Sequence, residues 1–169
     1  MKIKWKILIL VPLSVIICDQ ISKFIISNTM FLGQSIRVIG SFVRITYVRN
    51  PNAAFGIPVG PPLLMMVLTS IATLLLIFYF SRLKEKGCLL YVGLAMIIGG
   101  AIGNLIDRFR IQQVIDFIDV SVKRFHWPVF NIADSFVTIG IIVILWAWIF
   151  GEKKERVPDK TLTNSSNVI

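Results

Sequence analysis

Four long apolar runs with brief polar breaks dominate the chain: Ile7 to Ile26, Pro62 to Phe80, Leu89 to Leu105 and Asp134 to Phe150. Each comes close to the roughly 20 residues needed to cross about 30 Å of hydrocarbon, so the pattern predicts four transmembrane helices. Between the first two runs the period changes. Phe42 to Arg49 sets Val43, Ile45 and Tyr47 against Arg44 and Thr46, the alternation of a short, half-buried strand. Ser35 to Ile39 is positioned to pair with it across Gly40, and Ile115 to Val122 reads as a further strand that Trp127 and Pro128 bring to an end. The expected fold is an integral membrane α-helical protein, four transmembrane helices carrying a small extracytoplasmic β-sheet over about residues 31–58. No linker or repeat divides residues 1–152, read as one membrane-embedded domain, and 153–169 reads as a polar cytoplasmic tail.

Composition agrees with this pattern, since 56% of residues are hydrophobic, above the range of soluble domains. Lys2, Lys4 and Lys6 ahead of the first run imitate a secretion signal, but Val15, Ile16 and Ile17 stand where small residues would precede cleavage. The first run is therefore read as a retained span. Dense basic flanks at Lys2/Lys4/Lys6, Arg82/Lys84/Lys86 and Lys153/Lys154/Arg156 share one side of a four-span topology, which predicts both termini in the cytoplasm. Arg37, Arg44, Arg49, Arg108, Arg110, Lys123 and Arg124 fall on the other side but are less densely clustered, and no interleaved aromatic and basic motif points the net charge of +9 to nucleic acid.

The acids divide by position. Glu85, Glu152, Glu155 and Asp159 lie in the cytoplasmic flanks, whereas Asp19, Asp107, Asp116, Asp119 and Asp134 gather at the opposite ends of the spans. A carboxylate beside membrane-length apolar segments is costly unless paired, hydrogen-bonded or protonated, and so marks a candidate site. Asp116 and Asp134, eighteen positions apart, form the candidate acid and base. Asp134 stands three residues after Asn131 in a first helical turn, where capping alone also explains it. Asn104 and Arg108 share a helix face four residues apart, as do Asp19 and Lys23, an order that suits an intrahelical ion pair. Gly99, Gly100 and Gly103 predict close approach of a neighbouring helix.

His126 is the lone histidine and has no cysteine nearby, which disfavours a zinc site or a histidine triad. Cys18 and Cys88 fall at opposite ends of their spans and read as unpaired packing residues.

In chain order the sequence carries Asp-Gln-x-x-Lys at Asp19 to Lys23, Asn-x-x-Ala-Ala-Phe at Asn50 to Phe55 and Gly-Gly-Ala-x-Gly-Asn-x-x-Asp-Arg at Gly99 to Arg108. Val-x-Asp-Phe at Val114 to Phe117 and Phe-Asn-x-Ala-Asp-Ser at Phe130 to Ser135 follow. On a four-span scaffold this series resembles the lipoprotein signal peptidase (signal peptidase II) family across nearly the whole chain. One block departs from the family pattern: Asn52 occupies the place of a glycine, a substitution compatible with a left-handed turn but not with every close backbone approach.

The resemblance implies an aspartic endopeptidase of the bacterial inner membrane that cuts a signal peptide before a diacylglyceryl-modified cysteine. It implies Asp116 and Asp134 as catalytic, Asn50, Asn104, Arg108 and Asn131 as substrate-binding, and Asp19 and Lys23 as supporting residues. The implied partners are a lipidated prolipoprotein and membrane lipids, with no metal or other cofactor and the chain acting as a monomer. A small proton-coupled carrier or ion-conducting subunit is the alternative, because intramembrane carboxylates also relay protons; the concentration of polar groups at one face disfavours it.

Overall fold

The computed structural model describes residues 3–51, 60–84, 87–122 and 125–150. The proposed tail at 153–169 and the Asn52 substitution lie outside the described residues. Among the described residues, four helices are long and apolar enough to cross a membrane: α1 (Ile3–Thr29), α2 (Pro62–Arg82), α3 (Cys88–Ile111) and α4 (Ile132–Phe150). They overrun the apolar stretches, because helical hydrogen bonding continues into the polar flanks where hydropathy falls. The extension of α3 to Ile111 matters most, since it brings Asp107 and Arg108 onto the helix.

Helix α3 is central and packs against α1, α2 and α4. Small residues permit this: a methyl group at Gly99 would meet the Pro12 Cα at 2.9 Å, and one at Gly100 would run into the Ala133 carbonyl. A methyl at Gly93 would lie 2.8 Å from the Gly140 carbonyl oxygen of α4. Backbones this close gain dispersion contacts, the main attraction between helices once lipid has removed the hydrophobic driving force. The glycines expected to admit a neighbouring helix therefore admit two, α1 and α4.

At one end of the bundle Phe80, Tyr91, Leu94, Ala95 and Ile98 form a buried apolar cluster. Lys4 reaches across from α1 and donates to the Ser81 and Leu83 carbonyl oxygens at 2.9 and 2.6 Å, satisfying acceptors left open at the end of α2. The outward faces of all four helices are greasy. Ile17, Leu74, Phe78 and Trp148 are examples, with Trp148 83% exposed, as expected of surfaces that meet lipid tails rather than water.

The other end carries the sheet, in the order β1 (Ser35–Ile39), β2 (Val43–Asn50), β3 (Val114–Val122) and β4 (Phe125–His126). Neighbouring strands run antiparallel. Gly40, at φ +52°, turns β1 into β2 as the pattern predicted. The two-residue β4 has too little periodicity to be recognised in sequence. His126 lies in β4 opposite Ser121. Gln112 adopts a left-handed φ of 57° and ends α3, its N–H donating to the Arg108 carbonyl at 3.0 Å. That single turn converts a membrane helix into β3, two residues later.

Cys18 and Cys88 are free, as expected, but both are exposed rather than packed.

Candidate active site

Strand register brings the first carboxylate into place. Asn50 lies opposite Val114 and Val48 opposite Asp116, so Asn50 and Asp116 are diagonal neighbours on one face of the β2–β3 ladder. The Asn50 amide donates to Asp116 Oδ2 at 3.0 Å. On its far side β3 is tied to the approach to α4, with the Phe117 and Ile118 N–H groups both donating to the Phe130 carbonyl. This brings Asp116 beside Asn131.

Asn131 sits just before α4 and is completely buried. Its Oδ1 accepts from the Asp134 N–H at 2.9 Å, while Asp134 Oδ2 accepts from the Asn131 N–H at 3.3 Å. This reciprocal pair is a capping box, so the structural reading of Asp134 holds. Capping leaves Asp134 Oδ1 free for another donor, and the Asn104 amide supplies one at 2.8 Å. The Asn131 amide nitrogen meanwhile donates to Asp116 Oδ1 at 2.7 Å and to Asn104 Oδ1 at 3.1 Å. Two asparagine side chains thus connect the two aspartates in one hydrogen-bonded chain. Asp134 is half-buried and Asp116 is 2% exposed, so the site has a closed side and an open one.

Burial pushes the Asp116 carboxyl up to about 7 from its ordinary 3.8. Hydrogen bonds from Asn50 and Asn131 oppose the shift, and the nearby Asp134 charge adds to it.

Behind the aspartates lies a second polar cluster. Lys23 Nζ is 2.8 Å from Asp19 Oδ2, 2.8 Å from Asp107 Oδ2 and 3.0 Å from Asn104 Oδ1, a partner for each ammonium proton. Asp19 Oδ1 also accepts from the Ala133 N–H at the start of α4, and Asp107 Oδ2 from the Ile115 N–H in β3. Gln20 bridges Asp19, Asp107 and the Gly103 carbonyl. Four elements are fastened here. The expected Asp19–Lys23 pair exists, but as part of a triad with Asp107, whose role the sequence reading did not assign. Its spacing held a signal: Asp107 follows Asn104 by three positions and Gly103 by four, on one helical face.

Asp107 is committed to Lys23, and Arg108 forms no ion pair within 4 Å among the described residues. It remains half-buried and close enough to feel the charges of Asp134, Asp116 and Asp107. The candidate residues Asn50, Asn104, Asn131, Asp116 and Asp134 come together directly, Lys23 joins through Asn104 and Asp19 through Lys23, and Arg108 stands beside them.

A polytopic helical membrane protein with a buried carboxylate–amide centre under a sheet defines the class. Comparison with known proteins narrows it. The family model described as signal peptidase (SPase) II matches residues 11–150. A lipoprotein signal peptidase of Syntrophus aciditrophicus is 41% identical, the match covering 83% of this chain and 91% of that one. One from Bacillus velezensis is 40% identical over 87% of this chain and 97% of the relative. A solved bacterial membrane enzyme, determined by the in meso method at 2.3 Å, superposes with a TM-score of 0.79 at 38% identity, covering 88% of this chain and 92% of its own. The chain belongs to the signal peptidase II family.

Proposed function

We propose that this protein removes signal peptides from diacylglyceryl-modified bacterial prolipoproteins, cutting before the lipidated cysteine by aspartic-peptidase chemistry at Asp116 and Asp134. The observation that carries the reading is the Asn131–Asn104 bridge, which orients one oxygen of each carboxyl group within a single network. Two interacting carboxyls share a proton more readily than they ionise together. Asp116, pushed up to about 7, holds that proton near neutrality. Asp134, whose oxygens accept two N–H donors, takes a proton from a water molecule. The resulting hydroxide equivalent attacks the scissile carbonyl while Asp116 protonates its oxygen; Asp134 then passes the proton it took from water to the departing amine as the C–N bond breaks, and Asp116 recovers its own proton from the diol hydroxyl as the carbonyl re-forms.

Asn50 and Asn131 hold the acid in position, and Arg108 offers a cation to substrate carbonyls or anionic groups at the half-open side. Asp19, Lys23 and Asp107 support Asn104 from behind. The enzyme works as one membrane-embedded unit of the inner membrane, with both termini cytoplasmic and the sheet end at the outer face. A proton carrier lacks comparable support, because the buried charged side chains gather at the sheet end and the Phe80–Ile98 cluster closes the other end with apolar packing.

The test is cleavage of a lipidated precursor, followed by gel mobility, for wild type and for Asp116→Asn and Asp134→Asn. Both variants should insert and fold yet fail to cut. Near-normal turnover in either would overturn the dyad, and efficient cutting of unlipidated precursor would overturn the requirement for lipid.

A further inference from the structure

On the face of α1 turned away from α4 lie two adjoining depressions that the peptidase chemistry does not use. The first is a groove of about 460 Å³ with walls that include Ile17, Ile21 and Phe24, each of them 47% exposed or more. The second, about 340 Å³, lies one to two turns further toward the sheet and is bounded by Asn28, Ser27, Arg49 and Arg110, with Lys23 and Asp107 at its back. Gln20, Phe24 and Arg110 border both. A greasy channel therefore opens into a polar chamber at the level where helices α1 and α3 end.

Charge in the chamber is one-sided. Three basic side chains face one acid, and that acid, Asp107, is consumed by Lys23, Gln20 and the Ile115 N–H. Lys23 is in turn consumed by Asp19, Asp107 and Asn104. Arg49 is exposed and rests on the Tyr47 hydroxyl, and Arg110 has no ion-pair or hydrogen-bond partner among the described residues. Two guanidinium groups thus remain to offer forked donors to an anion, beside the Ser27 hydroxyl and the Asn28 amide.

We propose that these depressions form a binding site for an anionic phospholipid, with one acyl chain along Ile17, Ile21 and Phe24 and the phosphate between Arg110 and Arg49. The occupant is a lipid rather than a free anion because the groove and the chamber are continuous, and a phosphate alone leaves the groove unfilled. The site is separate from the proposed scissile centre, with the buried Lys23–Asp19–Asp107 cluster between them. Filling it covers the chamber beside the ammonium group that holds Asn104.

The experiment uses the full-length protein in nanodiscs of mixed phosphatidylglycerol and phosphatidylcholine, released for native mass spectrometry. Wild type should retain phosphatidylglycerol in preference to phosphatidylcholine. Arg110→Gln should lower that preference by about fivefold, the scale of one arginine near a phosphate surface, and Arg110→Lys should keep most of it. Thermal unfolding of each variant checks that the chain remains folded. Equal retention of the two lipids by wild type, or an unchanged preference in folded Arg110→Gln, overturns the proposal. Displacement of the lipid by millimolar inorganic phosphate would overturn the acyl-chain half of it. Binding is read without turnover, so the measurement stands apart from the fate of the dyad and can be repeated in Asp116→Asn.

Discussion

The two ends of the bundle are stabilised by opposite means. At the Lys4 end, Phe80, Tyr91, Leu94, Ala95 and Ile98 fill space, and the arrangement tolerates small adjustments because dispersion is non-directional. At the sheet end, Asp19, Lys23, Asp107, Asn104, Asn131 and Asp116 are buried too, yet almost every polar atom is assigned to one donor or acceptor. An apolar cluster loses stability in proportion to the atoms removed. A buried polar network fails at the first unpaired charge. The contrast places directional, residue-specific contacts at one end and general cohesion at the other.

The largest effect should come from separating chemistry from stability at the polar end. Asp116→Asn or Asp134→Asn should lower the cleavage rate by about a thousandfold or more while leaving the unfolding midpoint within a few degrees, since an amide replaces a carboxyl of equal size. Next, Lys23→Met removes the common partner of Asp19 and Asp107 and strands two buried carboxylates. A loss of about 3–5 kcal/mol is expected in reversible unfolding, accompanied by lost activity. Ile98→Ala, at the packed end, should cost about 2–5 kcal/mol and leave the turnover of the folded fraction unchanged. If Ile98→Ala abolished turnover in folded protein, the division between the ends would be wrong.

A smaller effect concerns proton linkage. The folded state holds a proton on Asp116 up to about pH 7, whereas the unfolded chain releases it near 3.8. Between those values the native state binds more protons, so this group's contribution makes stability fall as pH rises. Unfolding midpoints of wild type measured from pH 5 to 8 should decline more steeply than those of Asp116→Asn, and parallel curves would contradict the assignment. Smallest of all, Tyr91→Phe removes the 2.8 Å hydrogen bond to the Lys84 carbonyl and should cost about 1 kcal/mol.

How far the sequence could be read follows from the same division. The spans were legible because burial in lipid demands long apolar runs, β2 because alternation marks a half-buried strand, β1 because it could fold back on β2 across Gly40, and β3 because Trp127 and Pro128 bound it. The Asp19–Lys23 and Asn104–Arg108 spacings grouped residues on α1 and α3, and the Asn131–Asp134 spacing marked the start of α4. Local periodicity carries no information about which helix approaches which, so Lys23 meeting Asp107, and Asn131 joining Asp116 to Asn104, had no signature in spacing alone. Asp107 received no role although it shares a helical face with Asn104, because spacing within α3 does not show that Lys23 of α1 approaches it. The resemblance named the residues; register and the α3 turn at Gln112 account for their meeting.

Asn131 holds the beginning of α4 with its carbonyl oxygen and aims Asp116 with its amide nitrogen. A chain whose α4 began one residue out of step would therefore lose the bridge to Asp116 along with the helix cap. One side chain thus couples the start of α4 to the position of Asp116, and on the proposed reading a misassembled copy in the bilayer is expected to be inert rather than an indiscriminate protease.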